Sequence, residues 1–227
     1  IALRHQFENR YGIQLYESYG LSEVLFVATN DPFSPVGAGS VGRVLDGLDV
    51  DVVDDYGNPL SHGEEGEIRV FTPHVMKGYF NNKQIEGNII KPYLPYFTGD
   101  MGVLSDNGEL KITGRKKDLI IRMGVNISSA SIEEVFYRHP AVAECAVVGV
   151  PNALYGEEPA VAILLGPDYK FEEIYCQFEE TCQNNFSTAK QPKYIVELSE
   201  FPRTSNGKIQ KFAIRKELIK KLNLTEI

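Results

Sequence analysis

The segment Gly114-Arg115-Lys116-Lys117-Asp118 separates two stretches of unlike texture, and that change constrains the fold more than any other feature. Upstream, short alternating stretches are separated by glycine- and asparagine-rich turns, the pattern of antiparallel strands. Leu48 to Val53 alternates apolar and acidic residues, and Glu67 to Phe71 places Ile68 and Val70 on one face. Val103-Leu104 and Leu110-Lys111-Ile112 flank Ser105-Asp106-Asn107-Gly108, a hairpin signal because Asn and Gly both tolerate positive φ. Downstream, Ser128-Ser129-Ala130-Ser131 precedes Ile132, Val135 and Phe136. Hydroxyls ahead of an i, i+3, i+4 apolar stripe mark a helix start, and Pro140 is its stop. The apolar runs Cys145 to Val150 and Ala160 to Leu165 predict buried strands. Phe171, Ile174 and Phe178 stripe a second helix, Tyr194 to Leu198 is a third strand, and a basic helix is expected from Gln210 to Leu222. The expected fold class is therefore α+β. A β-rich lobe, a distorted small barrel, spans residues 1–114, and a compact α+β domain spans 115–227.

The 227-residue length allows such a pair, and 43% apolar with 24% charged residues is ordinary globular composition. A net charge of −8 argues against nucleic acid and anionic membrane as general partners. The three cysteines, Cys145, Cys176 and Cys182, form no CxxC pair, which suits a reducing, cytoplasmic setting. His5, His62, His74 and His139 lack metal-ligand spacing, and no apolar run is long enough for a membrane span. Ile1-Ala2-Leu3-Arg4 reads as the interior of a helix, so the chain is expected to be a piece of a longer protein.

Four loops could carry chemistry. In Tyr19-Gly20-Leu21-Ser22-Glu23, after a strand-like Gln14-Leu15-Tyr16, the ring could stack on a flat base and Gly20 could admit a ligand close to the backbone. Glu23 could hold Mg²⁺, which prefers oxygen ligands. An ordinary strand-to-loop turn with a core tyrosine fits the pentapeptide as well. Tyr96-Phe97-Thr98-Gly99-Asp100 ends in a carboxylate able to bridge two ribose hydroxyls, or is a plain Gly-Asp turn. Arg115 to Asp118 reads as a solvated linker, or as a hinge whose Arg115 touches an anion or ribose. Pro202-Arg203-Thr204-Ser205-Asn206-Gly207-Lys208-Ile209 fails as a P-loop, because Pro202 and Ile209 stand where Gly and Ser/Thr belong. Lys208 is then a point charge that could reach a phosphate, or a surface lysine opening a basic helix.

The order of these segments is more specific than any one of them. YGLSE, then Gly66-Glu67-Ile68 with Gly78-Tyr79, then YFTGD, GRKKD with Gly124, and PRTSNGKI together resemble the adenylate-forming superfamily. That superfamily comprises acyl- and aryl-CoA synthetases, luciferases and peptide-synthetase adenylation domains. The resemblance runs from about Tyr11 to Lys216.

It implies that a carboxylate attacks the α-phosphate of Mg·ATP, giving an acyl-adenylate, and that a thiol then takes the acyl group. It assigns Tyr19 to the adenine, Gly20 to the nucleotide, Ser22 to the α-phosphate, Glu23 to Mg²⁺, and Asp100 and Arg115 to the ribose. Lys208 matches the lysine between attacking carboxylate and α-phosphate, Lys117 the hinge, and Gly124 a glycine lining the thiol's approach. Val125-Asn126-Ile127 resembles the branch that uses CoA more than the branch that loads a carrier protein. The family's Ser/Thr/Gly-rich phosphate loop is missing, and so is most of the acyl pocket. A C-terminal part of a synthetase, inactive by itself, is therefore expected. An adenylation domain loading a carrier protein and a non-catalytic module of the same fold are the alternatives.

Overall fold

A computed structural model describes residues 2–33, 37, 39–81, 84–86 and 91–225. The chain divides into two compact units, 1–116 and 117–227.

The first unit opens with α1 (Ala2–Tyr11) and continues through β1 (Ser18–Leu21), β2 (Leu25–Thr29), β3 (Gly42–Val44), β4 (Asp49–Val53) and β5 (Glu65–Phe71). A small hairpin follows, β6 (Tyr79–Asn81) with β7 (Gln84–Glu86), and then β8 (Tyr96–Leu104) and β9 (Glu109–Arg115). Seven strands form one antiparallel sheet in the order β1-β2-β3-β9-β8-β5-β4. It is an open sheet with β1 and β4 at its edges, so the expected small barrel is corrected: among the described residues the edge strands do not pair. Gln14-Leu15-Tyr16 is also corrected, because it is irregular; β1 starts at Ser18, where pairing to Thr29 becomes available. Val24, Val27, Val52, Ile68, Val70 and Leu110 make the core of this unit.

Close strand approach explains two glycines. A Cβ on Gly42, whose φ is +116°, would lie 1.9 Å from the Thr29 carbonyl carbon, and one on Gly20 would lie 2.4 Å from the Leu25 oxygen. At the β8–β9 turn only Gly108 takes a positive φ; Asn107 instead donates its side-chain amide to Glu109.

The second unit comprises β10 (Leu119–Arg122), β11 (Val125–Ser128), α2 (Ser129–Phe136), β12 (Val142–Asn152), β13 (Gly156–Leu165), α3 (Phe171–Asn185), β14 (Tyr194–Glu197) and α4 (Lys211–Lys221). Ser128 caps α2 by accepting from the Ser131 N–H, which satisfies an otherwise orphaned donor. Long β12 and β13 pair antiparallel, and β13 also pairs with β10 and, in parallel, with β14. Both faces of this sheet are covered, which is why its two long strands read as unbroken apolar runs. Cys145 and Val147 pack with Ile132, Phe136, Ile174 and Phe178 of α2 and α3. Ala146, Val148 and Val150 point the other way, onto Ile214, Leu218 and Ile219 of α4.

Candidate functional site

In the first unit the candidate site is built around a bulge. Strand β5 pairs with β8 at Glu67↔Met101 and Arg69↔Phe97, so Ile68 alone faces the longer segment Thr98-Gly99-Asp100. Gly99 has φ +72°, which suits glycine, and the extra residues take Asp100 out of the β5–β8 ladder. Side chains satisfy the amides this releases. Gly99 N donates to Glu67 Oε1 at 3.1 Å, and Asp100 N donates to Thr98 Oγ1 at 3.1 Å. Thr98 Oγ1 in turn donates to the Ile68 carbonyl at 2.9 Å.

The bulge sets Asp100 opposite Arg115 on β9, with Arg115 Nε 3.2 Å from Asp100 Oδ1. The other oxygen accepts from the Tyr19 hydroxyl at 2.8 Å. Asp100 is only 6% exposed, while the Arg115 side chain is half exposed. A nearly buried carboxylate is thus held by two donors at the rim of the sheet, where an added hydroxyl could reach it. Burial first, and then the bond to Asp100, push the Tyr19 phenol above its ordinary value, so it stays a neutral donor; Thr98 and Arg115 oppose this.

Glu23 lies in the β1–β2 turn, half-buried. Its Oε1 accepts from the Tyr79 hydroxyl at 2.6 Å, and its backbone carbonyl accepts from Met76 N at 2.7 Å. Burial raises the Tyr96 phenol first, and the charges of Glu23 and Asp100 raise it further; its bond to Tyr79 lowers it. Among the described residues no group of three or more His, Cys, Asp or Glu could cage a metal. One partly exposed carboxylate does suit Mg²⁺ that arrives on substrate phosphates, since Mg²⁺ keeps waters and takes few protein ligands. Ser22 is exposed beside Glu23. Gly20 has a packing reason of its own in the Leu25 contact, independent of any ligand.

In the second unit, Arg203 and Ile209 bridge across the loop that carries Lys208. Thr204 N donates to the Lys208 carbonyl at 2.9 Å, Lys208 N to Thr204 Oγ1 at 3.1 Å, and Gly207 N to the Thr204 carbonyl at 2.9 Å. Arg203 clamps the turn by donating to the Gly207 carbonyl at 2.9 Å and by pairing with Glu144. The backbone is fixed, whereas the Lys208 side chain is exposed and has no ion pair or hydrogen bond among the described residues. This is a stiff pedestal with a free cation on it. Gly124 and Met123, with φ +77° and +53°, form the two-residue tip of the β10–β11 hairpin, and a Cβ on Gly124 would meet open space. Lys117 is exposed in a short 3₁₀ turn, Lys116–Asp118, at the junction of the units.

Sequence reasoning brought Tyr19, Asp100 and Arg115 forward, and the structure brings them together. It missed Thr98, Tyr79 and Tyr96 as supports and passed over Glu67 and Lys116 as individual residues. The available signal was Glu67, an acidic residue between Gly66 and Ile68 that is 9% exposed in the fold.

Residues 1–80 match the family model of AMP-binding enzymes, and residues 131–208 match that of the AMP-binding enzyme C-terminal domain. The medium-chain fatty-acid–CoA ligase of Escherichia coli is 34% identical over 217 residues, covering 93% of this chain and 38% of that protein. ATP-bound MatB of Rhodopseudomonas palustris superposes with a TM-score of 0.83 at 28% identity, covering 97% of this chain and 44% of the other. The o-succinylbenzoate CoA synthetase of Bacillus subtilis, bound to its acyl-adenylate, gives 0.77 at 30% identity over 94% and 42%. The chain spans a little over a third of the length of the curated relatives it matches. With both family models matched in order, the chain belongs to the adenylate-forming, AMP-binding enzymes and resembles their acyl-CoA synthetases.

Proposed function

We propose that this chain is the C-terminal portion of an acyl-CoA synthetase and acts together with an N-terminal region of the same longer protein. In the first step a carboxylate oxygen of the acid attacks the α-phosphorus of Mg·ATP and pyrophosphate leaves. In the second, the sulfur of CoA attacks the acyl carbonyl, AMP leaves with the bonding pair, and the thiol proton goes to solvent. The observation that carries the reading is Asp100, a buried carboxylate fixed between the Tyr19 hydroxyl and Arg115. A carboxylate so placed can accept from two ribose hydroxyls.

Tyr19, with Gly20, would flank the adenine, and Ser22 would reach the α-phosphate. Glu23 would hold Mg²⁺, which screens phosphate charge when bound. Lys208, unpaired on its stiff loop, would neutralise charge that grows between carboxylate and α-phosphate. Lys117 would let the second unit turn between steps and bring the Gly124 hairpin to the thiol's route. A reducing, cytoplasmic setting belongs to the same proposal and suits three unpaired cysteines. No helix among the described residues is long and apolar enough to cross a membrane.

Pyrophosphate exchange by the full-length protein, over a panel of short, medium, long and aryl acids, tests the first step. CoA and a carrier protein are then compared as acceptors. Acid-dependent exchange and CoA consumption are expected. No exchange with any acid would defeat the enzyme reading, and acyl transfer only to a carrier protein would defeat the CoA assignment.

A further inference from the structure

Among the described residues of the first unit Glu67 is, after Asp100, the most buried carboxylate, and both of its oxygens are engaged. Oε1 accepts from Gly99 N at 3.1 Å, across a sequence separation of 32, and thereby closes the bulge that aims Asp100. Oε2 accepts from Lys116 Nζ at 2.9 Å. The same ammonium lies 3.2 Å from Asp55 Oδ1, on the turn between β4 and β5. Glu67, and secondarily Asp55, raise the Lys116 pKa, so the pin stays charged throughout the neutral range. Lys116 follows Arg115 directly and precedes Lys117, where the second unit begins. One carboxylate therefore touches the residue before Asp100 and the residue after Arg115.

We propose that Glu67 is a positioning residue that couples the nucleotide contacts to the linker: through Gly99 it fixes Asp100, and through Lys116 it anchors the chain so that turning starts at Lys117. This rests on the acyl-CoA synthetase reading and adds to it a residue and a division of labour. An unanchored linker would spread the turn over several residues, and Arg115 would move with it. With Lys116 held, Arg115 keeps its place opposite Asp100 while the following residues absorb the φ/ψ change. The two oxygens separate the two tasks. Glu67→Gln keeps an acceptor for Gly99 N but loses the charge that holds Lys116. Glu67→Ala loses both. Lys116→Met loses only the anchor, and Lys116→Arg restores a cation.

The test has two readouts. Amide hydrogen exchange on this chain reports the contacts directly. Lys116→Met and Glu67→Gln are expected to speed exchange at residues 117–118 and leave Gly99 protected, whereas Glu67→Ala exposes Gly99 as well. In the full-length protein, Lys116→Met should slow the thioester step about five-fold relative to adenylation, the scale of a good partly exposed charge pair. Its KM for ATP should stay within about two-fold, Lys116→Arg should restore the ratio, and the Glu67→Gln/Lys116→Met double variant should be no worse than either single one. Glu67→Ala should in addition raise the KM for ATP. An unchanged ratio of half-reactions in Lys116→Met, equal losses in both steps, or failure of Lys116→Arg to restore the ratio overturns the proposal. If the wild-type protein makes no acyl-adenylate, the enzyme reading fails by itself. The exchange pattern then decides the anchor, with unchanged exchange at 117–118 overturning it.

Discussion

Replacing Asp100 by asparagine keeps the side chain's size and one acceptor oxygen, removes the charge and turns the other oxygen into an amide donor. The structural cost should be small. Tyr19 still finds an acceptor, and the half-exposed Arg115 can return to water, so the first unit should lose about 1–2 kcal/mol. The cost to nucleotide binding should be larger. A hydrogen bond to a charged acceptor is worth about 1.5–3 kcal/mol against about 0.5–1.5 for a neutral one. Two ribose hydroxyls would then lose about 2–3 kcal/mol together, or about 30- to 150-fold in ATP affinity at 1.36 kcal/mol per decade. The assay is the KM for ATP in pyrophosphate exchange, run beside 2′- and 3′-deoxy ATP, with urea unfolding of the variant as a control. The wild type should discriminate against at least one deoxy analogue, and the variant should discriminate much less. A folded Asp100→Asn protein with ATP affinity within about three-fold of wild type, and with undiminished discrimination, would refute the ribose role.

Other consequences are simpler. Gly42→Ala drives a methyl group into the Thr29–Asn30 backbone and should prevent the first unit from folding, whereas Gly12→Ala, with open space around it, should cost only about 1–2 kcal/mol; circular dichroism and urea titration compare them. Burial pushes the Cys182 thiol up to about 11 and raises the Cys145 thiol well above its ordinary value, while Cys176 is exposed. A thiol reagent at neutral pH should therefore label Cys176 rapidly and the other two only on unfolding. Burial also raises the Glu133 carboxyl above its ordinary 4.5, against the pull of Lys211 at 2.7 Å. The folded state then holds that proton more tightly, so its contribution is full below pH 4.5 and is lost as pH rises through the folded value. Glu133→Gln should flatten the stability–pH profile in that window, and an unchanged slope in urea titrations across it would contradict the assignment.

Local patterns made the second unit legible. The alternation hidden inside Cys145 to Val150 follows from helices on both faces, with Val147 toward Phe136 and Phe178 and Val148 toward the α4 side. Ser128 was readable as a cap because capping is a local bond. The first unit was less legible because its decisive contacts are distant in sequence. Thr98-Gly99-Asp100 looks like a turn until Glu67 is seen to accept the Gly99 amide. Gln14 to Tyr16 has strand-like residues but no partner strand, and pairing, not propensity, makes a strand. The open edges at β1 and β4 likewise depend on strand order, which no short pattern encodes.

The claim on which the functional account rests is that Lys208 serves the first chemical step. Lys208→Ala in the full-length protein, with each half-reaction measured separately, tests it most directly. The side chain is exposed and makes no hydrogen bond or ion pair among the described residues, so its removal should leave the fold intact. Acyl-adenylate formation should fall on the order of 10²–10³-fold, the usual loss for a group that stabilises developing charge. Thioester formation from supplied acyl-adenylate should stay within a few-fold of wild type, and equal losses in the two steps, or none in the first, would contradict the account.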